Sequence, residues 1–82
     1  MKIQILGTGC PKCRALASNA EKAVKELGVN AEIEKVTGIQ DILKFQILMT
    51  PGLVIDGEVK AAGRVPSTDE IKQFLIAKKE AH

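Results

Sequence analysis

Gly7-Thr8-Gly9-Cys10-Pro11-Lys12-Cys13 contains both cysteines of the chain and stands where an apolar strand pattern gives way to a long helical one. Two thiols separated by two residues at the start of a helix lie one turn apart on the same side. They are close enough to form a small disulfide or to grip one soft metal ion. With Cys10 as the N-cap, Pro11 falls at the first helical position, where its missing N–H costs nothing and its fixed φ suits the helix. The Cys10 sulfur then faces unpaired backbone N–H groups at the positive end of the helix dipole, with Lys12 and Arg14 adding cations nearby. Cysteines so placed have pKa values depressed from about 8.5 into the range of roughly 3.5–7.5. Gly7 and Gly9 let the backbone leave the strand sharply and keep the Cys10 sulfur uncovered. Cys13, a turn further in, is expected to be more buried and less acidic, which gives one attacking and one resolving sulfur.

On the N-terminal side, Lys2-Ile3-Gln4-Ile5-Leu6 alternates as a strand does and delivers the chain to the cysteines. On the C-terminal side, Cys13, Leu16, Ala17, Ala20, Ala23, Val24 and Leu27 recur at helical spacing and predict a helix from Pro11 to Leu27, ended by Gly28. Its alanines permit close approach to a sheet. Residues 31–36 read as a half-exposed or edge strand. Thr37 and Gln40 predict a capping box for a short amphipathic helix running to about Phe45, with Ile39, Ile42 and Leu43 on its apolar face. Ile47-Leu48-Met49 leads to Thr50-Pro51, where proline pushes Thr50 toward extended geometry. Gly52 to Ile55 and Glu58 to Ala62 flank Asp56-Gly57, a strong two-residue hairpin signal. Ser67-Thr68-Asp69-Glu70 predicts a second capping box, opening a helix with Ile71, Phe74 and Leu75 inward and Lys78 and Lys79 at its end. Glu80-Ala81-His82 is expected to fray.

The order is therefore β-α-β-α-β-β-α. Strands joined through a helix pair in parallel with a right-handed crossover, and the hairpin adds antiparallel neighbours, so one mixed four-stranded sheet flanked by helices is expected. The 82 residues make one domain, residues 1–82, with monomer the expectation for so small a chain.

Composition narrows the chemistry. Twelve basic and ten acidic residues are spread along the chain for a net charge of +2, with no block suited to nucleic acid. Phe45 and Phe74 are the only aromatic residues, which leaves no base-stacking surface. The opening residues carry only a short apolar run, so neither a signal peptide nor a membrane span is read there, and a cytoplasmic location is expected. In that compartment a C-x-x-C pair is catalytic, redox-sensing or metal-binding rather than architectural. A bridge spanning so short a loop restricts the unfolded chain little.

The element order, C-x-x-C between first strand and first helix, and Thr-Pro just before the third strand together resemble the thioredoxin and glutaredoxin superfamily over essentially the whole chain. More narrowly, the G-T-G-C-P-K-C turn, K-F-Q-I-L-M-T-P-G-L-V-I, D-G-E-V and A-G-R-V-P-S resemble small thioredoxin-like redox-active disulfide proteins of bacteria and archaea. The resemblance implies a thiol–disulfide oxidoreductase with Cys10 as exposed nucleophile and Cys13 as resolving thiol, while the positions of Pro11 and Lys12 in the turn make them the residues expected to tune it. It implies that Pro51 is the superfamily's cis-proline beside the disulfide, that the Thr50 backbone pairs with a substrate chain, and that Gly63 is the glycine after the last strand. No cofactor beyond the Cys10–Cys13 disulfide is implied. The partners are a protein or small-molecule disulfide and a reductase or reduced thiol for regeneration.

Two departures stand out. Gly9 occupies the place of a thioredoxin's tryptophan before the first cysteine, and Gln4 that of a buried aspartate which assists proton transfer. Ala62-Gly63-Arg64 only partly matches the Gly-Gly and acidic residue with which glutaredoxins hold glutathione. The alternative reading is a carrier of Cu(I) or another thiophilic ion through the same two cysteines. Carriers of that kind run β-α-β-β-α-β with a methionine where Thr8 stands. A tetrahedral metal site finds no second thiol pair, and the one histidine, His82, is terminal.

Overall fold

The computed structural model describes residues 1–47 and 49–80, Lys79 and Glu80 by their backbone only. The elements are β1 (Lys2–Leu6), α1 (Pro11–Leu27), β2 (Glu32–Val36), α2 (Ile39–Leu43), β3 (Gly52–Ile55), β4 (Glu58–Ala62) and α3 (Thr68–Glu80). The strands form one sheet in the order β2-β1-β3-β4. β1 and β2 run parallel, with Ile3 opposite Ile33 and Leu6 opposite Val36, while β3 is antiparallel to both β1 and β4. This is the mixed sheet that the element order predicts, with β2 on an edge.

Alternation along β1 sorts the interior into two cores. Ile3 and Ile5 join Leu16, Ala17, Ala20, Ala23, Leu53, Ile55, Ile71 and Leu75 beneath α1 and α3. Leu6 points the other way, into a smaller cluster with Val36, Ile42, Ile47 and Val54. Each large side chain fully buried in this way contributes about 1.5–3 kcal/mol. The small residues of α1 admit α3 alongside it. Asn19 fixes that pairing, its Nδ2 donating to the Pro66 carbonyl at 2.9 Å just ahead of α3.

The hairpin closes through Asp56 and Gly57 at φ 48° and 85°, both positive as a tight two-residue turn requires. Its tip is tied back to β1, with the Asp56 N–H donating to the Lys2 carbonyl and the Lys2 N–H to Asp56 Oδ1. A bulge between Leu53 and Val54 leaves Lys60 as the extra residue of β4.

The helix starts depart from expectation. α2 begins at Ile39 with Gly38 as its N-cap and no side-chain cap, so Thr37 does not cap it. It ends at Leu43, and a turn through Gln46 at φ 60° carries the chain to Ile47. Five residues cannot bury a full apolar stripe: Ile42 is buried, but Ile39 and Leu43 are 66% and 56% exposed. At α3 only half of the capping box forms. The Glu70 N–H donates to Ser67 Oγ at 3.1 Å, but the Glu70 carboxylate turns to Arg64 instead, at 2.7 Å. Lys78 reaches across to Glu58. The expectations for Leu48, the Lys79 side chain, Ala81 and His82 lie outside the described residues.

Candidate active site

Cys10 is the N-cap of α1, with extended geometry at φ −67° and ψ 166°, and Pro11 occupies the first helical turn. This is where β1 delivers the chain, and the Gly7 N–H continues the parallel ladder by donating to the Val36 carbonyl at 3.0 Å. Cys13 follows one turn later on the buried side of the helix, 5% exposed, while Cys10 is half-buried. Both are free thiols with their sulfurs 2.8 Å apart. Closing a bond of about 2.05 Å needs only a small sulfur movement.

Gly7 serves a purpose the sequence reading missed. Its φ is not in the left-handed region, so freedom to turn is not the reason for glycine here. A Cβ built at this position would run into Cys13 Sγ. The absent side chain makes room for the buried sulfur.

The two thiols are pushed in opposite directions. The Cys10 pKa lies below its ordinary value, chiefly because Cys13 offers its sulfur a hydrogen bond, and then because the Cys13 amide faces it. Burial pushes the Cys13 thiol up, and its bond to Cys10 adds to the effect. The amides facing the Cys10 sulfur match the expected helix-start effect, whereas the Lys12 and Arg14 cations expected to add to it are not among the causes of the lowered value. What Lys12 contributes is its backbone N–H, since its exposed ammonium is well solvated. The amides face the sulfur without a formed side-chain cap bond, as suits a bulky acceptor that must stay open to attack.

The Thr50–Pro51 peptide bond is cis, with Pro51 buried and Thr50 exposed. The Gly63 N–H donates to the Pro51 carbonyl at 2.8 Å, which joins the proline loop to the end of β4. Gly63 has φ 77°, and a Cβ there would lie 3.0 Å from that of Met49. Thr8, beside Cys10, and Thr50 border one groove of about 260 Å³ with Ile39, Ile42, Leu43 and Ile47. The two side chains α2 leaves exposed therefore flank the same groove as the proline loop. Periodicity alone gave no signal of this, because it placed Ile39 and Leu43 inward.

Residues 1–76 match the family model described as a thioredoxin domain. The chain belongs to the thioredoxin family. It is 53% identical over 75 residues to a thioredoxin of Methanothermobacter thermautotrophicus, covering 92% of this chain and 97% of that one. A thioredoxin of Methanocaldococcus jannaschii is 47% identical over 73 residues, covering 89% and 84% of the two chains. A probable thioredoxin of Archaeoglobus fulgidus is 32% identical over 66 residues, covering 80% and 71%. The chain is thus a thioredoxin-like thiol–disulfide oxidoreductase.

Within the thioredoxin fold, Gln4, which stands in the place of a thioredoxin's buried aspartate, lies on the sheet face away from Cys13. Its Nε2 donates to Glu34 Oε1 at 3.3 Å. The space next to Cys13 is instead a cavity of about 250 Å³ lined by Ile5, Gly7, Gly9, Cys13, Arg14, Lys35 and Thr37. None of these is a carboxylate. The element order β-α-β-α-β-β-α departs from that of the soft-metal carriers. Among the described residues, no helix is long and apolar enough to cross a membrane.

Proposed function

We propose that this protein reduces disulfides of other proteins through the Cys10–Cys13 pair, with Cys10 as nucleophile and Cys13 as resolving thiol. The observation that carries this is the asymmetry of the pair: adjacent sulfurs, one accessible and held acidic, the other buried and held protonated. The Cys10 thiolate attacks a substrate sulfur and expels the other as thiolate, forming a mixed disulfide. Cys13 then loses its proton and attacks the Cys10 sulfur. The substrate leaves as a dithiol and a Cys10–Cys13 disulfide remains. A reductase or a reduced thiol returns the pair to the dithiol. Pro11 sets the helix start, and no cofactor beyond the two cysteines takes part.

The groove bordered by Thr8, Thr50, Ile39 and Leu43 suits an extended substrate segment carrying an apolar side chain. Thr50 lines this groove, the Gly63 N–H holds the adjoining cis-proline Pro51 by its carbonyl, and these three residues are the ones we assign to substrate binding. We place the protein in the cytoplasm as a monomer.

Equilibration in graded glutathione buffers, followed by alkylation of free thiols, tests the redox reading directly. A single two-electron transition of the cysteine pair is expected, and a carrier of thiophilic ions need show none in the biological range. In the same assay, Cys13→Ser is expected to accumulate mixed disulfides with substrate while Cys10→Ser does not. Equal trapping by both variants would reverse the assignment of roles.

A further inference from the structure

Met49 immediately precedes Thr50 and is 64% exposed. Consecutive side chains of the loop diverge: Thr50 borders the groove with Ile39 and Leu43, whereas Met49 is folded back over Gly63. Its Cβ, Sδ and Cε stand 3.0, 3.2 and 3.2 Å from where a Cβ on Gly63 would be, so the glycine provides the seat on which the thioether lies. The same Gly63 holds the Pro51 carbonyl through its N–H. Among the described residues, Ile39, Leu43 and Met49 are the large apolar side chains more than half exposed, and all three adjoin Thr50 or its groove. The chain has two cysteines and two methionines. Met1 is half-buried against the principal core, which leaves Met49 as the accessible thioether.

We infer that Met49 is a modification site, oxidised by hydroperoxides to the sulfoxide, and that the sulfoxide weakens the hold on protein disulfides. This rests on the redox reading above and adds a control of its binding surface. Susceptibility of a sulfur to peroxide follows thiolate character and exposure. In the dithiol the Cys10 thiolate is the better target. Once the pair has closed to the disulfide neither cysteine has a thiolate, and the exposed thioether is next. A lone pair of the Met49 sulfur attacks one peroxide oxygen, an S–O bond forms and the O–O bond breaks. The proton of the attacked oxygen passes to the departing one, which leaves as water, or as an alcohol from an alkyl hydroperoxide. The peroxide is reduced by two electrons and the sulfur oxidised by two. The product is polar and chiral where the thioether is apolar and adaptable. Because Gly63 occupies one side of the side chain, the new oxygen either faces solvent or forces the chain off its seat. Even small specific protein contacts cover several residues around their centre, so a partner lying on Thr50 also covers Met49 and must dehydrate that oxygen. A small disulfide reaches the cysteines without covering Met49.

In the test, protein oxidised at the cysteine pair is treated with hydrogen peroxide, cleared of peroxide with catalase and reduced with dithiothreitol. Peptide mapping should find the added oxygen on Met49 well ahead of Met1. With insulin as the protein disulfide, KM should rise about fivefold, as expected when part of one apolar side chain is no longer buried. The kcat for insulin and the rate on bis(2-hydroxyethyl) disulfide should stay where they were. Met49→Leu carries an apolar side chain that peroxide does not oxidise, so its ratio of KM after treatment to KM before should fall to one. Met49→Gln, polar from the start, should raise the insulin KM without peroxide and respond to peroxide no further. Oxidation of Met1 ahead of Met49, an insulin KM unmoved by the Met49 sulfoxide, or a Met49→Leu variant that responds as the parent does overturns the inference and leaves the redox reading intact. Untreated protein that reduces neither disulfide removes the redox reading itself, and this inference falls with it.

Discussion

A single hydrogen atom in place of a side chain at Gly7 decides where the Cys13 sulfur can sit. Gly7→Ala forces a methyl group into that sulfur, and overpacking of this kind costs about 1–3 kcal/mol. The expected outcome is a lower melting temperature together with a changed midpoint in graded glutathione buffers. Gly9→Ala is the contrast. It meets nothing within 4 Å but sits at φ 91°, so it should lose about 1–2 kcal/mol from backbone strain with the midpoint largely kept. The acidity of Cys10 is equally a matter of one neighbour. Since the bond from the Cys13 thiol is the first cause of the lowered pKa, Cys13→Ala should move the pH midpoint of Cys10 alkylation upward, toward an ordinary thiol. Cys13→Ser keeps a donor and should move it less. Lys12→Ala should move it least, and a large shift in that variant would restore the lysine to the role the sequence suggests.

At the scale of elements, the shortness of α2 matters more than its composition. Five residues bury Ile42 and leave Ile39 and Leu43 in solvent beside the proline loop. Such exposed positions change stability by no more than about 0.5 kcal/mol when replaced. Ile39→Asp and Leu43→Asp are therefore expected to keep the melting temperature and to raise KM for a protein disulfide, by about fivefold each if a substrate buries part of the side chain. An unchanged KM in both variants would remove α2 from the binding surface. The joint between α1 and α3 is a second element-scale feature. Asn19→Ala removes the bond to the Pro66 carbonyl and should cost about 1 kcal/mol in urea unfolding, with the cysteine chemistry untouched.

For the molecule as a whole, one principal core carries the fold. An 82-residue chain holds only about 4–12 kcal/mol of net stability at 0.05–0.15 kcal/mol per residue. Leu75→Ala, in the fully buried layer between α3 and the sheet, should cost about 2–5 kcal/mol and leave little in reserve. Charge on the surface adds a weaker pH dependence. Glu34, Glu58 and Glu70 are held below their ordinary value of 4.5, chiefly by hydrogen bonds from Lys2, Lys60 and Arg64 respectively. Because the folded values are the depressed ones, this contribution is complete above the unfolded value and is lost as pH falls through the folded ones. The three groups are solvated, so the effect is modest. A Glu58→Gln, Glu70→Gln variant should differ from the parent at neutral pH and converge with it on acidification.

The sequence by itself determined the element order, the parallel and antiparallel pairings, and the place of the cysteines, because alternation, helical spacing and turn residues are local signals that each element carries alone. It also read Cys10 as the helix cap, Asp56-Gly57 as the turn and Ser67 as the start of α3. Only the tertiary structure decided that Gly7 is needed for the Cys13 sulfur rather than for a turn. It alone put Gln4 on the sheet face away from that sulfur, and showed the Glu70 carboxylate bonded to Arg64 rather than closing its capping box. It also turned Ile39 and Leu43 outward beside Thr8 and Thr50. Each of these depends on contacts between residues distant in the chain, or on how much surface one short helix can cover, and no periodic pattern encodes either.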